Sequence, residues 1–427
     1  MKMRRNNNYS GSAAVLSLCL SLFLVSGLSV AHAAESGDGI AAVGTLSDEQ
    51  EAEPGYTTDE FHIQPEIQLT TYYDDNIYAT NRAEVSDFIT ILSPVLKIHS
   101  HWDKHSLAFE TGANVGRYLD NPAENYDDYW FEASGTYEFG SNTTLFGDAG
   151  YYRKHEGRDS KDSIQSADGP TTYDVQSLGL GGRHRLGQTV IRLVLGYEKL
   201  DYDNIGNLFN DDRDRTHNAV GLRVTRDIDN RTRIYVQGLF NDRDYVLVTN
   251  GVNRDSSGYS AVAGVIRSLG KKGRVESYAG VLSQDYDYAG FETVTTADFG
   301  LKLQWYPAES WKLTGNLNRS LRETTDEGAS GYLLTKLDLQ LEKTLSSKAT
   351  AYAAYTYGYY DYQGIARQDD YNAVTLGANY QLSRDVQISG SYSYHDNDSN
   401  DGILNPVSGL SYDYSRNLFL LSLKARF

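Results

Sequence analysis

The stretch HSHWDKH, residues 99–105, carries His99, His101 and His105 close together, and imidazoles so spaced are common donors to a transition metal. The same residues also fit a polar hairpin end with Trp102 at a membrane interface, and that is the reading adopted. A second stretch, HDNDSNDG at residues 395–402, offers Asp396, Asp398 and Asn400 at the spacing of a calcium loop. Its glycine falls one place late and its twelfth position is Val407 instead of Glu, so an EF-hand is rejected and an external loop expected. No G-x-S-x-G, H-E-x-x-H or phosphate-binding glycine loop occurs. The chain's one cysteine, Cys19, sits in an apolar run behind Leu18, where it serves as filler and not as a lipidation site. No catalytic residue, metal ligand or cofactor is therefore expected, and an enzyme is not.

What remains is a long series of single charges set among alternating apolar residues. In LTKLDLQLEK, Leu337, Leu339 and Leu341 alternate with Lys336, Asp338, Gln340 and Glu342. A period of two places each set on one face of a β-strand. DFGLKLQWYPAESWKLTGNL repeats the pattern on both sides of a turn at Pro307–Ser310, and VTLGANYQLSRDVQISGSYSY does so around Ser383–Asp385. Counting such segments from 61–73 and 87–100 through to 385–397 and 413–427 gives about 18 strands joined alternately by tight turns and longer polar loops. An even number puts both termini on the short-turn side. Pro65 and Pro94 fall inside the first two strands, where bulges near the seam are the expected accommodation.

The first residues address the chain for export. Lys2, Arg4 and Arg5 precede an apolar stretch from Ala13 to Val30, and Ala31-His32-Ala33 is a small-residue site for cleavage between Ala33 and Ala34. Residues 1–34 thus read as a signal peptide, 35–60 as an acidic flexible periplasmic leader without strand pattern, and 61–427 as the barrel. Loss of three cations with the signal peptide takes the formal charge from -18 to -21, which argues against a nucleic-acid partner. No segment approaches the roughly 18 apolar residues of a membrane helix. With 34 Tyr, 39 Gly and 7 Pro, the composition is that of an all-β, transmembrane antiparallel barrel of the Gram-negative outer membrane, with aromatic girdles at both interfaces.

The last strand fits that architecture. NLFLLSLKARF places Phe419, Leu421, Leu423, Ala425 and Phe427 on one face, toward lipid, and Lys424 and Arg426 on the other. Barrel closure against the first strand would hold it. Its terminal aromatic resembles the signal by which the outer-membrane barrel assembly machinery selects clients.

Lipid penalises charge, so the charged faces are expected to line the lumen. Arg192, Arg223, Arg233, Lys302, Lys336, Lys424 and Arg426 would attract anionic groups there, with Asp338 and Glu342 pairing some of them. The longest loops, about 156–171 and 397–412, read as too modest to plug a barrel of this width, so a wide wet lumen is expected, suited to bulky cargo or gated by a partner. The tyrosines of YAAYTYGYYDY, residues 352–362, and of SYSYH, residues 391–395, are girdle residues first. Those on the lumen side offer flat faces for sugar rings.

TTYYDDNIYATNRAEVSDFITILSPVLKI, residues 70–98, resembles the opening of the β-barrel porin family found in exopolysaccharide-export loci. The matching features are an aromatic strand, the turn Asp75-Asn76-Ile77-Tyr78, then Ser86–Thr90 and Ser93–Leu96, which includes Pro94. NPAENYDDYWFEASGTYEFGSNTTLFGDAGY also looks like that family. The resemblance implies an outer-membrane conduit for a secreted polysaccharide, working with a periplasmic polysaccharide-export protein and an inner-membrane chain-length regulator, in a membrane of outer-membrane lipid and lipopolysaccharide. The alternatives are a general diffusion porin for small solutes, a barrel enzyme, and a structural or adhesive surface barrel.

Overall fold

The computed structural model describes residues 54–163, 168–400 and 412–427; the expected signal peptide, the Ala33–Ala34 cut and most of the acidic leader lie outside the described residues. After a two-residue strand β1 (Tyr56–Thr57), the wall begins with β2 (Phe61–Asp74), β3 (Asp87–Ser100), β4 (His105–Tyr118), β5 (Tyr126–Phe139), β6 (Thr143–His155) and β7 (Thr172–Leu186). It continues through β8 (Thr189–Tyr202), β9 (Arg215–Asp227), β10 (Thr232–Tyr245), β11 (Ser256–Ser268), β12 (Gly273–Tyr286) and β13 (Val294–Trp305). The strands β14 (Trp311–Arg322), β15 (Gly331–Ser346), β16 (Ala349–Gln363), β17 (Gln368–Gln381), β18 (Val386–Ser399) and β19 (Tyr414–Arg426) complete it.

Each wall strand pairs antiparallel with the next, and β19 pairs with β2 through contacts such as Leu423↔Leu69. The result is a closed antiparallel barrel of the eighteen strands β2 to β19, as the alternation required. Leu180, Leu195, Leu222, Leu376 and Leu421 stand exposed on its outer face. Tyr129, Tyr197, Tyr259, Tyr392 and Tyr394 mark one rim of this apolar band, and Tyr137, Phe139, Trp305, Tyr380 and Phe427 mark the other. Such a band between aromatic girdles is what a membrane-crossing barrel presents to lipid.

The two prolines are accommodated without the expected bulges. The β2–β3 ladder runs unshifted through Pro65↔Leu96 and Ile67↔Pro94. Pro65 lies where β19 ends, and its carbonyl accepts from the N–H of Phe427 at 3.0 Å. Its missing N–H therefore faces the end of the β19 ladder and interrupts nothing beyond it. At Pro94 the β3–β4 ladder instead pauses, pairing Leu92↔Val115 and then Val95↔Gly112 in the same register. The end of the acidic leader also departs from expectation, because Tyr56↔Ile63 and Thr57↔His62 pair it to the edge of β2 just past the C-terminus.

Between β13 and β14 the wall parts. Six pairs join them, from Gly300↔Asn318 to Trp305↔Leu313. Beyond these, Val294–Phe299 pair only with β12, and Arg319–Arg322 only with β15. Leu321 and Leu333 belong to the outward alternation of β14 and β15, yet they are 5% and 4% exposed and pack on Tyr286 and Val294 of the inner face. The outer half of the β14–β15 hairpin thus lies inside the wall formed by β12 and β13, like the overlap of a scroll. Its other face packs inward through Tyr332 and Leu334 on Tyr362, with Tyr360 and Ile365 alongside.

Candidate functional site

The inner face is built of tyrosines and charges. Tyr72, Tyr126, Tyr152, Tyr173, Tyr202, Tyr235, Tyr278 and Tyr286 are all buried on it, drawn from strands around much of the circumference. Of the tyrosine cluster at 352–362, Tyr352, Tyr360 and Tyr362 share the inner face with Asp338 and Lys336, while Tyr355, Tyr357 and Tyr359 take the outer one.

The residues expected along the lumen lie on this face. Arg192 and Arg223 are opposite one another in register, the first over the Phe146 ring at 4.5 Å and the second over Tyr235 at 3.7 Å. Arg223 also pairs with Glu276 at 3.1 Å, and Glu276 stands opposite Lys302. Arg233 faces Asp227 across the ladder, and Glu342 faces Lys312. Lys336 lies 3.3 Å from Asp338, whose carboxylate accepts from Thr356 Oγ1 at 2.9 Å. Lys424 and Arg426 converge on Glu66 at 2.8 and 3.6 Å, with Lys97 at 3.5 Å. Phe419, Leu421, Leu423 and Phe427 are exposed on the outer face, and Ala425 shares their alternation. The histidines of HSHWDKH separate: His105 stacks on Tyr137 at 4.2 Å, while His99 and His101 gather with His62.

Parts of the chain cross the lumen. The segment 156–163, EGRDSKDS, leaves β6 and crosses inward, where its charges meet partners on distant walls. Glu156 binds the Arg213 guanidinium with oxygens at 2.6 and 3.0 Å, both side chains being buried. Arg158 forms a two-pronged pair with Glu124 at 2.7 Å on each arm. Asp159 reaches Arg416 of β19 at 3.4 Å. Lys161 donates to Asp369 of β17 at 3.0 Å and Asn397 of β18 at 2.6 Å, and stands over the Tyr360 ring at 4.3 Å. Burial draws its ammonium below the ordinary value even with Asp369 beside it.

This segment meets the inward hairpin. The Asp162 carboxylate accepts from Thr324 Oγ1 at 2.6 Å and from the Thr325 N–H at 3.3 Å. Burial, opposed by Arg213, pushes that carboxyl up to about 6. Glu323 pairs with Arg243 of β10 and accepts from the Tyr245 hydroxyl at 2.7 Å. Burial alone would raise the Glu323 carboxyl, but Arg243 and Arg215 hold it below the usual range. Arg254 donates to the carbonyls of Thr324 and Ala329 at 2.7 and 2.9 Å. Arg367 binds Asp326 and Asp369 at 2.6 and 2.8 Å and lies between the rings of Tyr362 and Tyr412. Chemically this is a closure made of buried, mutually neutralising ion pairs, tight in place and costly to break one partner at a time.

The expectation of an unobstructed lumen therefore fails, and so does the inference that a missing inward loop favours bulky cargo. The alternating signs within EGRDSKDS are what an ion-paired loop needs, but a solvated loop has the same composition. The unbroken apolar run of Tyr332, Leu333 and Leu334 was the clearer signal, since a strand apolar on both faces must be covered on both.

A family model described as "Putative beta-barrel porin 2" matches residues 52–427. The chain belongs to that family. It is accordingly an outer-membrane β-barrel porin, with the band of exposed leucines facing lipid. No curated protein matches its sequence. Among solved structures, this porin is similar to the siderophore receptor PirA from Acinetobacter baumannii, with 8% identity and a TM-score of 0.47 over 85% of this chain and 80% of that one. It is also similar to OpdO from Pseudomonas aeruginosa, at 12% identity and a TM-score of 0.46 over 86% and 98%. The outer membrane protein opdK of Pseudomonas aeruginosa aligns at 11% identity and 0.45 over 86% and 99%.

Proposed function

We propose that this porin carries exopolysaccharide outward through the outer membrane, and that segment 156–163 and the β14–β15 hairpin close it at rest. The observation that carries the cargo is the inner wall itself. Buried tyrosines recur from Tyr72 on β2 to Tyr286 on β12, and cations lie on several of their rings, as Arg223 does on Tyr235 and Arg213 on Tyr202. A sugar ring stacks its apolar face on tyrosine while its hydroxyls and acidic substituents meet neighbouring polar groups. The residues Arg192, Arg223, Arg233, Lys302, Lys336, Lys424 and Arg426 would steer acidic units, with Asp338 and Glu342 holding some of them. The resemblance of residues 70–98 to porins of export loci supports the same direction, and with it the periplasmic export protein and the chain-length regulator as partners.

General diffusion of small solutes is the second reading. The closure argues against it, because a pore for free diffusion would stay open. Deleting the gene tests the cargo: surface polymer should fall sharply and return on complementation. Polymer at normal yield on the deleted strain would end the export proposal.

A further inference from the structure

The parting of β13 from β14 leaves a specific complementarity unused. Continuing the observed register beyond Gly300↔Asn318 would set Phe299 opposite Arg319, Asp298 opposite Ser320, Ala297 opposite Leu321 and Thr296 opposite Arg322. Asp298 and Ser320 would then share the inner face as a direct pair. In the present arrangement both are buried, and both keep a polar atom, Asp298 Oδ1 and Ser320 Oγ, without a hydrogen-bond partner among the described residues. Asp298 instead reaches over Gly280 to Ser260 of β11, whose hydroxyl donates to it at 2.5 Å. Gly280, which stands opposite Asp298, has no room for a side chain, because a Cβ there would come within 2.0 Å of the Ala261 carbonyl oxygen. Buried polar atoms are nearly always satisfied, and a carboxylate set in a wall with one hydroxyl for company is an exception that needs a reason.

The edge of β13 gives the same indication. Val294–Phe299 present an unpaired strand edge toward β14, a feature that barrels ordinarily abolish. The hairpin that could cover it is tucked inside and held by Asp162, Arg243 and Arg254.

We infer that the β13–β14 seam has two states, and that the channel opens when the hairpin leaves the lumen and zips onto β13 in this register. In the zipped state Ser320 meets Asp298, and Arg322 stands two residues along the same face, within reach of that carboxylate. Leu321 turns to the outer face with the rest of its alternation, where Phe299 already stands. Withdrawal of Thr324 and Glu323 frees Asp162 and Arg243, so segment 156–163 loses its anchor on that side. The inference rests on the chain's being a channel and is independent of its cargo.

Paired cysteines test it in the full-length barrel, whose mature chain has no cysteine of its own under the expected cleavage. Directly opposed antiparallel residues lie within disulfide reach. Asp298→Cys with Ser320→Cys should cross-link on oxidation, and the oxidised protein should show raised single-channel conductance in planar bilayers that a reductant reverses. Asp162→Cys with Thr324→Cys, placed where side chains now touch, should cross-link and silence the channel. The pair Leu301→Cys and Leu317→Cys, opposed in both states, reports that folding and oxidation have worked. Cross-linking of that control without the Asp298–Ser320 pair would overturn the inference, and so would an Asp298–Ser320 cross-link that leaves conductance unchanged. Because no sugar enters the experiment, either result leaves the polysaccharide proposal standing or falling on the gene deletion alone.

Discussion

Asp162 and Thr324 touch at 2.6 Å although one belongs to the connection after β6 and the other to the hairpin after β14, on far sides of the barrel. Two separate parts of the chain have therefore to enter the lumen for this hydrogen bond to exist. Their meeting point is the centre of the closure, and perturbing it should loosen both.

The Glu156–Arg213 pair anchors the loop near its origin, with both side chains about 5% exposed. Removing one partner strands the other charge in a buried site, at a cost of about 3–5 kcal/mol. Arg213→Ala should therefore raise proteolysis and amide exchange in residues 156–163 while the wall strands stay protected. Unchanged protection of the loop would show that the pair does not hold it.

Acid should tighten the latch. The Asp162 carboxyl is raised by burial to about 6 from an ordinary value of 3.8, so the folded-in state is favoured when it is protonated. That contribution is complete below about pH 4 and is lost as pH rises through about 6. The groups that act on it are Arg213, Glu156, Asp326 and Thr324, and of these Arg213 and Thr324 oppose the shift. Loop protection or channel closure measured between pH 4 and 7 should decline across this window, and Asp162→Asn should abolish the decline. A wild-type profile identical to that of Asp162→Asn would refute the assignment.

How much of this was written in the chain differs by element. Period-two alternation and turn residues located the strands closely, since a lipid-facing wall leaves no freedom about which side chain faces out. Leu337, Leu339 and Leu341 against Lys336, Asp338 and Glu342 needed no structure to assign. The prolines were legible as exceptions, but the accommodation of Pro65 depended on where β19 ends, a fact about neighbours distant in sequence. The closure was the least legible part. Lys161 finds Asp369 and Asn397 more than two hundred residues away, and nothing local distinguishes a paired lysine from a solvated one. Asn76 is a similar case: as part of the turn at Asp75–Tyr78 it looked like a family mark, and its side chain proves to donate to Thr80 O and Ser415 O, stapling β2 to β19.

The seam between first and last strands carries its own prediction. Glu66 is buried among Lys97, Lys424 and Arg426, so Glu66→Gln leaves three cations facing one another without their shared carboxylate. Hydrogen bonds to charged groups contribute about 1.5–3 kcal/mol each, so the loss should be visible as a lower temperature of heat-modified migration. A midpoint equal to the wild type would mean that the cluster is not stabilising.

Phe427 ends the outer-face row of β19 and donates its N–H to Pro65. Deleting it should reduce the quantity of folded barrel in the outer membrane, if the terminal aromatic is what the assembly machinery selects. Membranes with undiminished folded barrel would contradict that role.

The central claim is that the lumen is shut by its own folded-in segments and must be unlatched to conduct. Single-channel recording of the wild type beside the double variant Asp162→Ala and Arg213→Ala tests it most directly. The account predicts a wild-type barrel that is closed or nearly so and a variant with large, long-lived openings; equal, stable conductance in both would contradict it.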